Sequence, residues 1–271
     1  MTDLRGLQQT WETLAQSDPL WAICTDPRRK SGGWEVEEFF ATGEQEVRTV
    51  LEHVAGLGLT VRSEGRALDF GCGVGRLTRA LAGRFGECVG VDIAATMVAL
   101  AERHNRCRNR CSYVVNDCAN LSRFPDRSFA FVYSSIVLQH MSPEYMKGYL
   151  REFARVLEPG GILVCQIPDY VMTPREKMGR LRQRLGLRTQ AKKLLGIHAA
   201  ETPPPAAEPT GEMEMNWLPE AAVRLALGAG GCRVVDVRLT NSIAPDFNGR
   251  LVYLTGRARP GLVSKQYCAI K

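Results

Sequence analysis

The chain has 271 residues, 45% of them hydrophobic, enough to bury one large core with a small appendage. Its net charge is +6, and no apolar run reaches membrane-spanning length, which excludes a membrane-spanning helix. Nine cysteines, odd in number and scattered, argue for reduced thiols rather than a disulfide framework. With no basic, apolar leader at the start, the expected location is cytoplasmic.

The chain opens with helical spacing. Leu4, Leu7, Trp11 and Leu14 fall on one face, and Asp18-Pro19 and Asp26-Pro27 break the pattern. A second helix is expected from about Gly43 to Leu57. Trp34, Phe39, Phe40 and Gly43 are candidates to cover a ligand or, equally, to dock these helices on the core.

From Arg66 the pattern changes to short apolar runs alternating with helical stretches. The runs are 66–70, 88–93, 112–116, 129–133 and 161–167; the helices lie near 74–84, 94–104 and 143–157. Ser142 is a fitting N-cap before Pro143, and "EPGG" stops the last helix. Continuous apolar strands between helices predict a parallel sheet covered on both faces.

Residues 168–212 interrupt this order. Between Arg175 and Lys193 eight cations face one acid, Glu176, so this segment alone carries the basic excess. A proline-rich connector comes next, then a helix at 217–229 and strands near 233–239 and 250–256. The basic run fits an anionic acceptor, an anionic membrane surface or a solvated face.

The first strand ends in "LDFGCGVGRLT", residues 68–78. Gly71, Gly73 and Gly75 do not make the dinucleotide pattern, because Arg76 and Thr78 stand where its third glycine would fall. Gly-Lys-Ser/Thr is absent too, which removes the P-loop. Asp69 before the turn repels a pyrophosphate and attracts an ammonium. Asp92 at the end of the second strand suits ribose hydroxyls, and Asp117, followed by Cys118, suits an exocyclic adenine amine. Ammonium, ribose and adenine without phosphate describe S-adenosylmethionine. His104, Cys107 and Cys111 approach a metal spacing but lack a fourth ligand, so no metal is expected.

The segments "ALDFGCGVGRLTRALA", "VGVDIAATMVALAERH", "NDCANLSRFPDRSFAFVYSSIVLQHM" and "YLREFARVLEPGGILVCQIPD" resemble the successive motifs of class I S-adenosylmethionine-dependent methyltransferases. The resemblance is strong over about 40–170 and weaker over 213–257. It implies a Rossmann-like α/β fold: a seven-stranded sheet, strand seven antiparallel and inserted between five and six, with helices on both faces. The expected organisation is an N-terminal helical extension over the cofactor (1–60), a cofactor-binding core (61–168), a basic lid or substrate-recognition insertion (169–215) and the end of the core (216–271).

The resemblance further implies that Gly71 and Gly73 bring their backbone to the methionine moiety, that Cys72 lines the loop and that Ile93 packs on the adenine. Ser134 marks where the family meets the methionine amine. Gln139 and His140 come after it at the carboxyl edge of the sheet; Gln139 is expected at the cofactor, and His140 is the candidate general base, with a packed histidine as the alternative. The expected activity is methyl transfer to an oxygen or nitrogen of a small molecule, such as a sugar or secondary metabolite. Rival readings are a non-methylating use of the same cofactor, an RNA methyltransferase and a catalytically silent binding protein. Against nucleic acid stand the missing Asn-Pro-Pro-Tyr-type motif and Pro-Cys pair. Oligomeric state is open.

Overall fold

The computed structural model describes residues 3–176, 178, 213–245 and 247–271. Most of the basic run 175–193 and of the expected lid therefore lies outside the described residues. In chain order the elements are α1 (Leu4–Ser17), α2 (Pro19–Ile23), α3 (Val36–Gly56), β1 (Arg66–Phe70), α4 (Arg76–Ala82), β2 (Glu87–Asp92), α5 (Ala95–Arg103), β3 (Cys111–Val115), β4 (Phe129–Ser134), α6 (Pro143–Val156), β5 (Leu157–Val171), α7 (Glu220–Ala229), β6 (Arg233–Thr240), β7 (Tyr253–Leu254) and β8 (Gly261–Ile270). Short 3-10 turns occupy Pro27–Arg29 and Leu138–His140.

The strands form one sheet in the order β3-β2-β1-β4-β5-β8-β6-β7. The five strands β1–β5 are parallel, and β8 runs antiparallel between β5 and β6. Among the described residues the sheet thus has eight strands rather than seven. The late run expected at 250–256 is only the two-residue edge strand β7. The inserted antiparallel strand is β8, which pairs with β5 over ten positions. Its buried polar residues Ser264 and Gln266 hide its apolar pattern.

Both faces are covered. Met146, Leu150 and Phe153 of α6 pack with Val223 and Leu227 of α7 on one face. Val47, Val50 and Val54 of α3 pack with Leu77 and Leu81 of α4 on the other. The alternation of apolar strands and amphipathic helices produces this arrangement, since each helix buries one stripe against the sheet.

Helix α3 starts at Val36, seven residues before the expected Gly43. Gly43 is an interior position where α3 crosses α4. A Cβ there would lie 2.4 Å from the Arg76 carbonyl oxygen, so glycine permits the crossing. Asp18 and Asp26, which precede prolines, cap the short helices after them: their carboxylates accept from the N–H groups of Trp21 and Arg28. Among the described residues no helix is long and apolar enough to cross a membrane, and no cluster of three His, Cys, Asp or Glu side chains could hold a metal.

Candidate active site

The carboxyl ends of β1, β2 and β4 meet in a crevice, where ligands bind in open parallel sheets. Chain reversal after β1 requires left-handed backbone at Gly71 (φ 79°) and Gly73 (φ 51°). Space requires glycine as well. A Cβ on Gly71 would come within 2.2 Å of the Val137 side chain, and one on Gly73 within 2.5 Å of Ile23. Gly71, Cys72 and Gly73 line the cavity, with Asp92 and Ile93 across from them.

Asp92 is held by its own loop. Oδ2 accepts from Gly73 N–H at 2.8 Å and Oδ1 from Ala94 N–H at 2.9 Å. Burial raises its pKa, and the Ala94 and Gly73 N–H groups work against that rise. Each carboxylate oxygen keeps a second lone pair for a ligand hydroxyl. Phe70, Ile93 and Met97 supply an apolar wall around it.

Helix α1 closes the cavity. Leu7 and Trp11 line it. Gln8 donates to the Ile93 carbonyl at 3.2 Å, and the Glu12 carboxylate accepts from Ala95 and Thr96 N–H at the start of α5. Trp34, Phe39 and Phe40 pack instead into a separate cluster with Val74 and Met97. The N-terminal cover of this cavity is therefore α1 rather than the aromatic stretch at 34–40.

Several expected contacts lie elsewhere. Asp69 is fully buried behind the loop, where Oδ2 accepts from the Thr78 hydroxyl at 2.6 Å. Burial pushes its carboxyl up to about 7. Gly75 (φ 85°) caps α4 and faces the Tyr113 hydroxyl. Ser134 is buried and donates to the Phe70 carbonyl at 3.1 Å, while Ser135 and Ile136 line the cavity. Asp117 and Cys118 are exposed, and the preceding residue Asn116 reaches the wall with Tyr149. Asn116 donates its amide to the Cys118 carbonyl and the Tyr149 hydroxyl.

A second cavity of about 860 Å³ adjoins the first. Leu14, Trp21, Ile243 and Phe247 give it apolar walls, and Gln139, His140, Ser242, Asp18, Thr25 and Lys30 are polar groups there. Ala22, Ile23, Ile136 and His140 border both cavities. Met213 and Met215, where the chain returns toward α7, line the second. Lys30 stands over the Trp21 ring, 4.8 Å from its centroid, and also lines it.

His140 is 6% exposed, with the Trp11 ring edge-on at 5.2 Å. Nδ1 lies 2.9 Å from the Glu214 carbonyl oxygen. Burial holds the imidazole pKa below its ordinary value, and the Glu214 contact opposes that only partly. Burial therefore favours the neutral ring, and the Glu214 carbonyl takes the Nδ1 hydrogen, which leaves Nε2 as the basic nitrogen.

Three features had weak sequence signals. The face of α1 with Leu7 and Trp11 reads as ordinary core. Asn116 has no charge to mark it. Glu46 lies in a helix, yet it is fully buried against Arg76 at 2.6 Å. That pairing neutralises Arg76, the cation among the first cavity's described lining residues. The crevice therefore offers an acid for hydroxyls, an apolar slot and glycine backbone, but among the described residues no unpaired cation for a pyrophosphate. These residues fit the nucleoside sulfonium that the sequence motifs imply.

Residues 68–165 match the family described as a methyltransferase domain. A demethylmenaquinone methyltransferase of Staphylococcus saprophyticus is 34% identical over 119 residues, covering 43% of this chain and 50% of that protein. One from Bacillus licheniformis is 36% identical over 102 residues, covering 36% and 43%. The chain thus spans about half the length of the curated relatives it matches. Among solved structures, the fold is that of magnesium protoporphyrin IX methyltransferase from Synechocystis with bound SAH, at TM-score 0.58, 18% identity and 99% and 100% coverage of the two chains. It is equally that of the 4+2 cyclase SpnF, at TM-score 0.60, 16% identity and 100% and 97% coverage.

Proposed function

We propose that the chain is a class I S-adenosylmethionine-dependent methyltransferase that methylates an oxygen or nitrogen of a small molecule with a substantial apolar body. One observation carries this reading: the cofactor-type crevice and the apolar cavity of about 860 Å³ adjoin each other at His140 and Ile136. A cavity of this size suits a drug-sized ligand, for which roughly 300–1,000 Å³ is usual.

When bound, S-adenosylmethionine supplies a methyl group on a sulfonium and leaves as S-adenosylhomocysteine. Asp92 would hold its ribose, Ile93 and Met97 would pack on its adenine beside Asn116, and the backbone of Gly71–Gly73 would meet its amino-acid part. The chain's remaining work is to align the acceptor in a dry pocket. Leu7, Trp11 and Ile23, which line the crevice, would keep water from the bound cofactor. Trp21, Ile243 and Phe247 would hold the acceptor's apolar body. His140 Nε2 would take the proton that the attacking hydroxyl or amine loses. The basic run 175–193 supports a negative charge on that acceptor.

The test is product analysis. The protein is incubated with S-adenosylmethionine and a panel of apolar alcohols, phenols and amines, with and without an acidic group. S-adenosylhomocysteine formed in step with methylated acceptor is the expected result. Methylthioadenosine, or a rearranged acceptor with the cofactor unchanged, would point to another chemistry on the same fold.

A further inference from the structure

A line of buried side chains runs from β6 to the His140 loop. Ser242 and Ser264 hydroxyls lie 3.0 and 2.7 Å from the Thr240 hydroxyl. Gln166 Nε2 donates to Ser264 Oγ at 3.0 Å and to Gln139 Oε1 at 3.2 Å. Gln139 Nε2 then lies 3.3 Å from His140 Nε2. Gln166 sits in the middle of β5 and is fully buried. An uncharged amide at the centre of a sheet is costly unless all its bonds are met, and here they are met by one loop and one strand.

The directions of the amide and imidazole bonds are fixed from both ends. Ile136 N–H can only donate, and it lies 3.1 Å from Gln166 Oε1. That contact turns the Gln166 NH2 group toward Gln139, whose Oε1 must accept. Gln139 must then present its own NH2 to His140, which can answer only with a lone pair on Nε2. From the other side, the Glu214 carbonyl can only accept, so His140 Nδ1 carries the hydrogen. Two independent constraints select the same neutral tautomer.

Gln166 also holds the loop's backbone. Ile136 has φ 60°, a left-handed conformation that a β-branched residue rarely adopts. Such strain persists only where surrounding structure over-determines it. The Gln166 bond to Ile136 N–H does this on one side, and the Asn216 N–H bond to the Gln139 carbonyl, 2.6 Å, ties down the other.

We propose that Gln166 and Gln139 are positioning residues: they direct a hydrogen-bond donor at His140 Nε2, hold the ring in the Nδ1–H tautomer and keep its basic nitrogen at the boundary of the two cavities. The catalytic consequence rests on His140 acting as the base in the methyl transfer proposed above, whereas the tautomer itself does not. The 3.3 Å contact from Gln139 is a long one, which an acceptor hydroxyl would replace on binding. Charged or titratable groups in the surrounding walls are Asp92, Arg76, Cys72 and Tyr149 on the cofactor side and Asp18 and Lys30 on the other. None of these appears among the causes of the His140 shift, which are burial and the Glu214 carbonyl.

The experiment is a ring-nitrogen NMR titration of the full chain. It has four histidines, so the His140 signals are identified by their loss in His140→Gln. The expected result is a neutral Nδ1–H ring at pH 7, with a pKa below the ordinary histidine value. Gln139→Glu replaces the donor with a carboxylate, so the ring pKa should rise by about one unit or more. The acid limb of kcat should move up with it. Gln166→Leu frees Gln139 and leaves the Glu214 carbonyl as the one remaining constraint on the ring, so a changed Nε2 shift, a minor Nε2–H population and about a tenfold lower kcat are expected, with S-adenosylhomocysteine affinity unchanged. An Nε2–H or protonated ring at pH 7 in the native protein overturns the proposal. So does an unmoved pKa in Gln139→Glu, even if Gln166→Leu fails to fold. The expected Nδ1–H tautomer in the native protein and a shifted ring pKa in Gln139→Glu, with kcat unaltered in the folded variants, would instead remove His140 from the mechanism and leave the positioning intact.

Discussion

Arg76 and Glu46 form an ion pair at 2.6 Å where α4 meets α3, with side chains 3% and 0% exposed. Tyr133 donates its hydroxyl to the other Glu46 oxygen at 2.7 Å. Arg76 also donates to the Thr42 hydroxyl and the Gly249 carbonyl. Both charges are out of water, so removing one strands the other. Glu46→Ala should cost about 3–5 kcal/mol in urea unfolding. The double variant Glu46→Leu with Arg76→Met should recover most of that loss, because no charge is left uncompensated. Equal losses in the single and double variants would mean that packing, not charge, sets the cost.

Asp69 lies at the end of β1 with Oδ1 buried and unpartnered. Burial raises its folded-state pKa to about 7 from an ordinary value of 3.8. The folded protein therefore holds this proton more tightly than the unfolded chain. Stability from this group is fullest at pH below about 4 and is lost as pH rises toward about 7. Asp69→Asn removes the ionisation and keeps an acceptor for Thr78. Thermal melts should show the variant gaining on the native protein at pH 8 and matching it near pH 4. If Asp69 instead attracts the cofactor's ammonium, the same variant will lose cofactor affinity, which calorimetry separates from the melts.

The features legible in the sequence are the repetitive ones; the singular ones stay hidden. The strands β1 to β5 announce themselves because their residues are apolar on both faces, as in 129–133. The glycine loop and Asp92 fall at strand ends, so their place in the crevice comes from the parallel sheet. The strand β8 escapes because Ser264, Lys265 and Gln266 interrupt its apolar run. Ser264 and Lys265 bond to Gln166 and to the carboxylates of Asp169 and Glu220, partners distant in sequence. The choice of Asp117 over Asn116 shows the same limit: charge marks a residue in a sequence, whereas facing decides in the structure. Likewise the Leu7–Trp11 face of α1 is plainly apolar, but periodicity does not say whether it meets core or cofactor.

Asp92 should dominate cofactor affinity. Its two oxygens already accept from Gly73 and Ala94, and a ribose would add bonds to a charged acceptor, worth about 1.5–3 kcal/mol each. Asp92→Ala removes those and loosens the glycine loop, so at least about a tenfold loss of S-adenosylhomocysteine affinity is expected by calorimetry. Wild-type affinity in this variant would exclude Asp92 as the ribose acceptor.

Proton removal by His140 predicts a split between binding and rate. His140→Ala should lower kcat by about 10²–10⁴-fold, the usual range for a lost general base, and leave cofactor affinity nearly unchanged. The activity of the native protein should persist below pH 6.5, because burial lowers the imidazole pKa and the neutral, basic form survives further into acid. An acid limb above pH 6.5 would contradict that direction of shift.

Helix α1 forms one wall of the crevice. Its cavity side bears Leu7 and Trp11, and polar bonds from Gln8 to Ile93 and from Glu12 to the α5 N-terminus clamp it. A carboxylate at a helix N-terminus contributes roughly 0.3–1 kcal/mol, and a neutral side-chain bond a similar amount. Such a clamp holds a lid without locking it. Gln8→Ala with Glu12→Ala should therefore lower global stability by no more than about 2 kcal/mol. The same change should speed release of S-adenosylhomocysteine several-fold in stopped flow if the nucleoside departs past the α1 wall that Leu7 and Trp11 form. Trp11→Ala should do so more strongly, as it removes the ring that seals the cavity beside His140. An unchanged release rate in both variants, with melts showing them folded, would mean that the ligand leaves by the second cavity instead, past Trp21 and Lys30.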